Sequence, residues 1–168
     1  MIPSSVVGVI AARGVRRYRD LKRFDAILEQ DIANYDGDFK DLIKQAPALY
    51  RLMTHLLDDS SLPSKMSQQV IAAIAYFILP GDVIPEDKYG PLGYVDDIYL
   101  CAFVANQVMM ETGSEEILAR NWDGNTPVVP LISEILNRER EMIGDKKESI
   151  MQYIGYDQLG TAQSNNFD

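Results

Sequence analysis

Apolar residues recur at helical spacing along nearly the whole chain. Leu21, Phe24, Leu28, Ile32 and Tyr35 follow one another at intervals of three and four, which lays them on one stripe of an amphipathic helix ending near Asp36-Gly37-Asp38. Pro47 suits the first turn of a second helix. Its apolar face is Leu49, Tyr50, Met53, Leu56 and Leu57, and Asp58-Asp59-Ser60-Ser61 marks its end. Pro63 opens a third helix in the same way. From Val70 to Leu79 this helix is apolar on every side, the pattern expected of the core helix of a bundle.

Punctuation then sets the remaining boundaries. Pro80 stops the third helix, and Pro85 and Pro91 with Gly81, Gly90 and Gly93 predict a rigid, irregular loop before a fourth helix that starts at Asp96-Asp97 and runs through Val108. Ser114 followed by Glu115-Glu116 reads as a cap and an acidic first turn. Thr126-Pro127 opens a helix through Leu131, Ile135 and Met142 that Gly144 stops, and a last short helix spans 146–154. No stretch alternates as a half-buried strand does. The expected fold is therefore all-α: a compact bundle of five to seven helices around the hairpin of the third and fourth. The expected organisation is a basic segment at 1–23, one helical domain at 24–155 and a small, polar, mobile tail at 156–168.

Carboxylates crowd the most apolar part of the chain. Tyr76-Phe-Ile-Leu-Pro-Gly-Asp-Val-Ile-Pro-Glu-Asp-Lys-Tyr-Gly-Pro-Leu-Gly-Tyr-Val-Asp-Asp-Ile-Tyr99 holds Asp82, Glu86, Asp87, Asp96 and Asp97. Burying charge is costly, so these acids need compensation. One reading is structural: Asp82 makes a turn to the backbone past a helix end, and Asp96 or Asp97 caps the next helix, each for about 1 kcal/mol. The other is chemical. The loop folds back so that Asp82, Asp96 and Asp97, with Glu86 or Asp87, converge on a cation. All-oxygen ligands select Mg²⁺, Mn²⁺ or Ca²⁺ over Zn²⁺. Neighbouring helical residues point about 100° apart, so one of Asp96 and Asp97 caps while the other faces the loop.

The punctuation of this hairpin resembles that of the YkvA-like family, domain of unknown function 1232, over about residues 71–108. Its common form is Pro-x-Asp-x-Ile-Pro-Asp followed by Gly-x-x-Asp-Asp, and Pro80, Asp82, Pro85, Gly93, Asp96 and Asp97 match it. Glu86 stands where the family has Asp, which keeps the charge on a longer arm. The resemblance implies a hairpin whose turn is built by Pro80, Gly81, Pro85 and Gly93. It supplies no reaction, and members occur both as soluble proteins and beside membrane segments.

Charge is unevenly distributed over the 168 residues, whose net charge is −9. Arg13, Arg16, Arg17, Arg19, Lys22 and Arg23 stand against Asp20 alone up to residue 23, a local +5 that leaves −14 for the rest. Such an acidic body repels nucleic acid, so none is expected on it. The head, with Val6, Val7, Val9, Ile10 and Ala11 before its arginines, suits either an interfacial helix meeting anionic lipid through Arg13, Arg16, Arg17 and Arg19, or docking of its valines on the bundle with the arginines paired to the acidic body. Cys101, the single cysteine, permits no internal disulfide, and a cytoplasmic location, soluble or membrane-peripheral, is expected. His55 has no ligand-spaced partner. Asn34–Asp38 and Asn121–Asn125 begin like calcium loops but carry Phe39 and Thr126 in place of the required glycine, and so read as turns. No nucleophile triad or phosphate-binding glycine loop is present. The expected role is a non-enzymatic interaction or accessory protein that meets a protein partner through its acidic hairpin. The alternatives are a divalent-cation enzyme acting on a phosphate-containing substrate with Asp82, Asp96 and Asp97 as ligands, and a peripheral membrane protein held by residues 1–23.

Overall fold

The computed structural model describes residues 23–78 and 83–155. Pro80, Gly81 and Asp82 lie outside the described residues, as do Arg13, Arg16, Arg17 and Arg19 and the expected tail. The described residues are all-α, without a strand. Five longer helices carry the architecture: α1 (Phe24–Ile32), α3 (Ala46–Asp58), α4 (Ser64–Ile78), α6 (Val95–Thr112) and α8 (Val128–Asn137). Five shorter ones join them: α2 (Lys40–Ile43), α5 (Glu86–Tyr89), α7 (Glu116–Asn121), α9 (Glu139–Met142) and α10 (Lys147–Gln152). Single helical turns such as α2 and α5 are too short to leave a periodic trace, which explains why the described residues hold ten helices where five to seven were expected.

The start signals act as their chemistry requires. Pro47 sits in the first turn of α3, where its missing N–H removes no helical bond. Ser114 Oγ accepts the Glu116 N–H at 3.1 Å, one residue ahead of Glu115, the N-cap of α7. The run expected as one helix from Pro127 to Met142 breaks instead at Arg138, whose N–H is shared between the carbonyls of Glu134 and Ile135. The resulting bend buries Met142 and Ile143.

The central helix is α6, not the third helix that the all-round apolar run predicted. Ile98, Leu100, Cys101, Ala102, Val104, Ala105 and Val108 are all fully buried. Helix α6 touches α2, α3, α4, α7, α8, α9 and α10. Small side chains at 101, 102 and 105 let neighbouring backbones approach from several directions. Helix α4 lies to one side. It buries Met66, Val70, Ala73, Ile74, Tyr76 and Phe77, while Ile71 remains 50% exposed and Ala72, Ala75 and Ile78 are part-exposed.

Polar ties bind the outer elements. Arg51 on α3 donates to both Asp123 oxygens at 3.0 and 2.8 Å, to Asp25 at 3.4 Å and to Glu29 at 3.2 Å, joining α1, α3 and the loop before α8. Asp59 accepts from Arg120, Asn121 and Ser61, which hold its carboxyl well below the usual range, Arg120 first among them. His55 Nδ1 donates to the Asn121 carbonyl at 2.9 Å, a boundary residue as its sequence context suggested.

Candidate functional site

The acidic hairpin is α4, the segment that follows residue 82, α5, a 3₁₀ turn at Gly90–Tyr94, and α6. Its geometry begins with an irregular backbone. Val83 and Ile84 lie outside any helix, so their N–H groups need partners other than a helical ladder. Pro85 biases Ile84 away from the helical region, is itself extended at φ −76°, ψ 136°, and leads into α5.

Two side chains supply the partners. Asp96 Oδ2 accepts the Ile84 N–H at 3.0 Å and the Tyr76 hydroxyl at 2.6 Å. That hydroxyl in turn accepts the Val83 N–H at 3.0 Å. The other Asp96 oxygen, Oδ1, lies 3.1 Å from the Asp97 N–H, which donates to it. One carboxylate thus ties the last helical turns of α4, the loop and the first turn of α6 into a single unit. Asp96 has no exposed surface and Tyr76 almost none. Tyr153, after α10, sets its ring edge-on against Tyr76 at 4.8 Å.

Burial dominates the electrostatics. It pushes Asp96 up to about 6; the hydrogen bonds from Tyr76 and Ile84 oppose the rise and the charge of Glu86 adds to it. Burial, followed by the Asp96 charge, also drives the Tyr76 hydroxyl far above the ordinary tyrosine range, so it stays a donor. Tyr94 behaves likewise: it is buried, and it donates to Asp31 of α1 at 2.8 Å.

Helix α6 begins at Val95, one residue earlier than expected, so Asp96 and Asp97 occupy its first turn rather than its cap. Carboxylates there face the positive end of the helix dipole. Asp97 is 1% exposed. Its charge is felt by Tyr94 and by Cys101 one turn on, whose thiol is raised well above its ordinary value by burial first and Asp97 second. Cys101 is a core thiol rather than a reactive one.

Glu86 opens α5, with Asp87 next to it. Gly93 must be glycine: a Cβ there would stand 2.7 Å from both the N and Cα of Glu86. Gly90 is required for another reason, its φ of +61° with ψ −149°. The close pass at Gly93 seats the 3₁₀ turn on α5 and leaves a pocket of about 230 Å³ lined by Asp31, Glu86, Gly90, Pro91 and Tyr94. Lys88 and Tyr89 end α5, Tyr89 47% exposed with the Lys88 ammonium 5.1 Å from its ring centre.

The structure therefore brings Asp96, Asp97 and Glu86 into one neighbourhood. Asp82 lies outside the described residues. Among the described residues no three His, Cys, Asp or Glu side chains are placed to share a metal ion. No described helix is long and apolar enough to cross a membrane. Sequence reasoning missed Tyr76, Tyr94 and Asp31. The signal for Tyr76 was present: a hydroxyl inside an otherwise apolar run must find a buried partner.

Residues 69–103 match the model of a family described as protein of unknown function (DUF1232). An uncharacterised protein of Methanothermobacter thermautotrophicus, ORF9, is 28% identical over 134 residues, which cover 80% of this chain and 91% of that protein. No solved structure matches significantly.

Proposed function

With a hairpin of the DUF1232 family at residues 69–103, we propose that this protein is an interaction or accessory module whose hairpin is a rigid surface for a protein partner. One observation carries the reading: Asp96, fully buried, spends its oxygens on Tyr76 and on backbone N–H groups. A carboxylate without solvent access, held by internal donors, stiffens a loop and reaches no substrate. The surface it stiffens carries the pocket lined by Asp31, Glu86 and Tyr94, with the exposed Tyr89 preceding the lining Gly90 in the chain. Two carboxylates beside aromatic rings suit a basic partner segment.

The test is a photo-crosslinking amino acid at Tyr89, compared in cells with the same probe at Met110, which is 70% exposed at the far end of α6. The reading expects a stoichiometric adduct at 89 alone, lost on Glu86→Lys. Identical patterns at both positions, or adducts insensitive to Glu86→Lys, would refute it.

A second reading has one observation in its favour. Glu86 Oε1 is buried with no hydrogen-bond partner among the described residues, and the Glu86 charge acts on Asp96. A divalent cation of the Mg²⁺, Mn²⁺ or Ca²⁺ type, held by these carboxylates with Asp82, would compensate both, and the module would then be a metal-dependent enzyme for a phosphate-containing substrate.

A further inference from the structure

A carboxylate packed into a fold needs a cation or a donor to compensate it. Such cations stand elsewhere in this chain: Arg51 serves Asp25, Glu29 and Asp123, Arg120 serves Asp59, and Lys147 serves Glu139. The pocket of about 230 Å³ beside the hairpin is different. Asp31 and Glu86 both line it, and among the described residues neither forms an ion pair. Tyr94 satisfies one oxygen of Asp31 at 2.8 Å. Glu86 Oε1 is buried and has no hydrogen-bond partner among the described residues, and a buried acceptor of that kind calls for a donor. Lys88, two residues on, does not line the pocket; its ammonium stands over Tyr89 instead.

Both acids are held in place. A Cβ on Gly93 would meet the N and Cα of Glu86 at 2.7 Å and its Cγ at 3.0 Å, so the 3₁₀ turn lies directly on the stem of Glu86. Asp31 is anchored by the hydroxyl of Tyr94, which is 6% exposed. Charges fixed in advance lose little freedom when a ligand arrives.

Size and lining select that ligand. A divalent ion draws its oxygens to within about 2.0–2.6 Å, and no three described acids are placed to share one. A cavity of this volume has room for an organic cation with a stem several carbons long. Gly90 and Pro91 give it an aliphatic wall, against which methylenes pack while a charged head reaches the carboxylates. Lysine has that shape. Its compact ammonium can divide three donors between carboxylates on different elements, whereas the flat fork of arginine matches a single carboxylate.

We propose that this pocket takes one lysine side chain of the protein partner, with the ammonium held between Asp31 and Glu86. This anchor rests on the reading of the hairpin as a partner surface.

Magnetic resonance titration of the full chain with acetyl-Gly-Lys-Gly-amide, in chelator-containing buffer and beside the arginine and norleucine peptides, tests it. The expected result is saturable shifts of the Asp31, Glu86, Gly90 and Tyr94 amides with the lysine peptide, weaker binding of arginine and none of norleucine. Glu86→Gln keeps the shape of the side chain and should lower the lysine affinity about tenfold, the worth of a hydrogen bond to a charged group, with the Leu100 and Val104 amides in place. No saturable shift at those four amides, equal binding of either control peptide, or an affinity indifferent to Glu86→Gln overturns the lysine anchor. Saturable shifts at residues 13–23 alongside them overturn it in favour of the chain's own arginines. A Tyr89 adduct that forms in cells while the peptide fails to bind removes the anchor and leaves the partner surface standing; failure of both removes the surface as well.

Discussion

Tyr76 and Asp96, 20 residues apart in sequence, share a 2.6 Å hydrogen bond with no exposed surface on the aspartate. The bond is charge-assisted whenever Asp96 is ionised, and the same hydroxyl accepts the Val83 N–H. Two helices and the start of an irregular loop therefore depend on one oxygen atom of a tyrosine.

Tyr76→Phe removes that atom and leaves the Asp96 carboxylate and the Val83 N–H each short of a partner. The expected loss is about 1–3 kcal/mol, read as a fall in Tm of roughly 2–4 °C per kcal/mol for a chain of this size. Amide exchange at Val83 and Ile84 should quicken more than at Leu100 or Val104. Uniform acceleration across the chain would show that the bond has no local role.

The pH dependence has a definite sign. Burial raises Asp96 above its ordinary value of 3.8 to about 6, so between those values the folded state holds a proton that the unfolded state has released. The contribution of Asp96 to stability is complete below pH 3.8 and is lost as pH rises through 6. Asp96→Asn lacks this loss, so its Tm relative to the parent should climb between pH 4 and 6.5. A constant or falling difference across that window, measured in chelator-containing buffer, would contradict the burial argument.

Gly93→Ala forces a Cβ to 2.7 Å from the Glu86 backbone. An overpacked contact of this kind costs about 1–3 kcal/mol. Gly90→Ala meets no atom within 4 Å but strains a φ of +61°, for about 1 kcal/mol or more. Chemical denaturation should show both variants weakened, with crosslinking from Tyr89 disturbed chiefly in Gly93→Ala, because that glycine seats the turn on α5.

Arg51 makes its own testable claim, as its guanidinium bridges two carboxylates of α1 and one from the loop before α8 with only a quarter of its side chain exposed. Arg51→Met and Asp123→Asn should each destabilise, and the double variant should show a coupling of about 0.5–3 kcal/mol. Additive effects would mean that the pair contributes nothing specific.

The legible part of this fold is what has a period or a punctuation mark. Leu28 and Ile32 announced α1, and Pro47 and Pro63 the starts of α3 and α4, because each acts on residues within one or two turns. The hairpin was legible for the same reason, through Pro85, Gly93 and the Asp96-Asp97 pair. Helical spacing could not say which aspartate would meet the loop, since that depends on where α6 starts, and it starts at Val95. Nor could it rank the helices: the run at Val70–Ile78 is more apolar than α6, yet small residues at 101, 102 and 105 give α6 the centre. Arg51 and Asp123 stand 72 residues apart and carry no local sign of each other. Tyr94 and Asp31, 63 apart, are equally silent.

Calorimetric titration of the metal-stripped protein with Mg²⁺, Mn²⁺ and Ca²⁺, beside an Asp96→Asn, Asp97→Asn variant checked for intact folding, tests most directly whether these carboxylates fasten a loop or hold an ion. A fastened hairpin predicts heats of dilution alone for all three ions. Saturable binding by the parent, lost in the folded double variant, would contradict that account and make the hairpin a metal site.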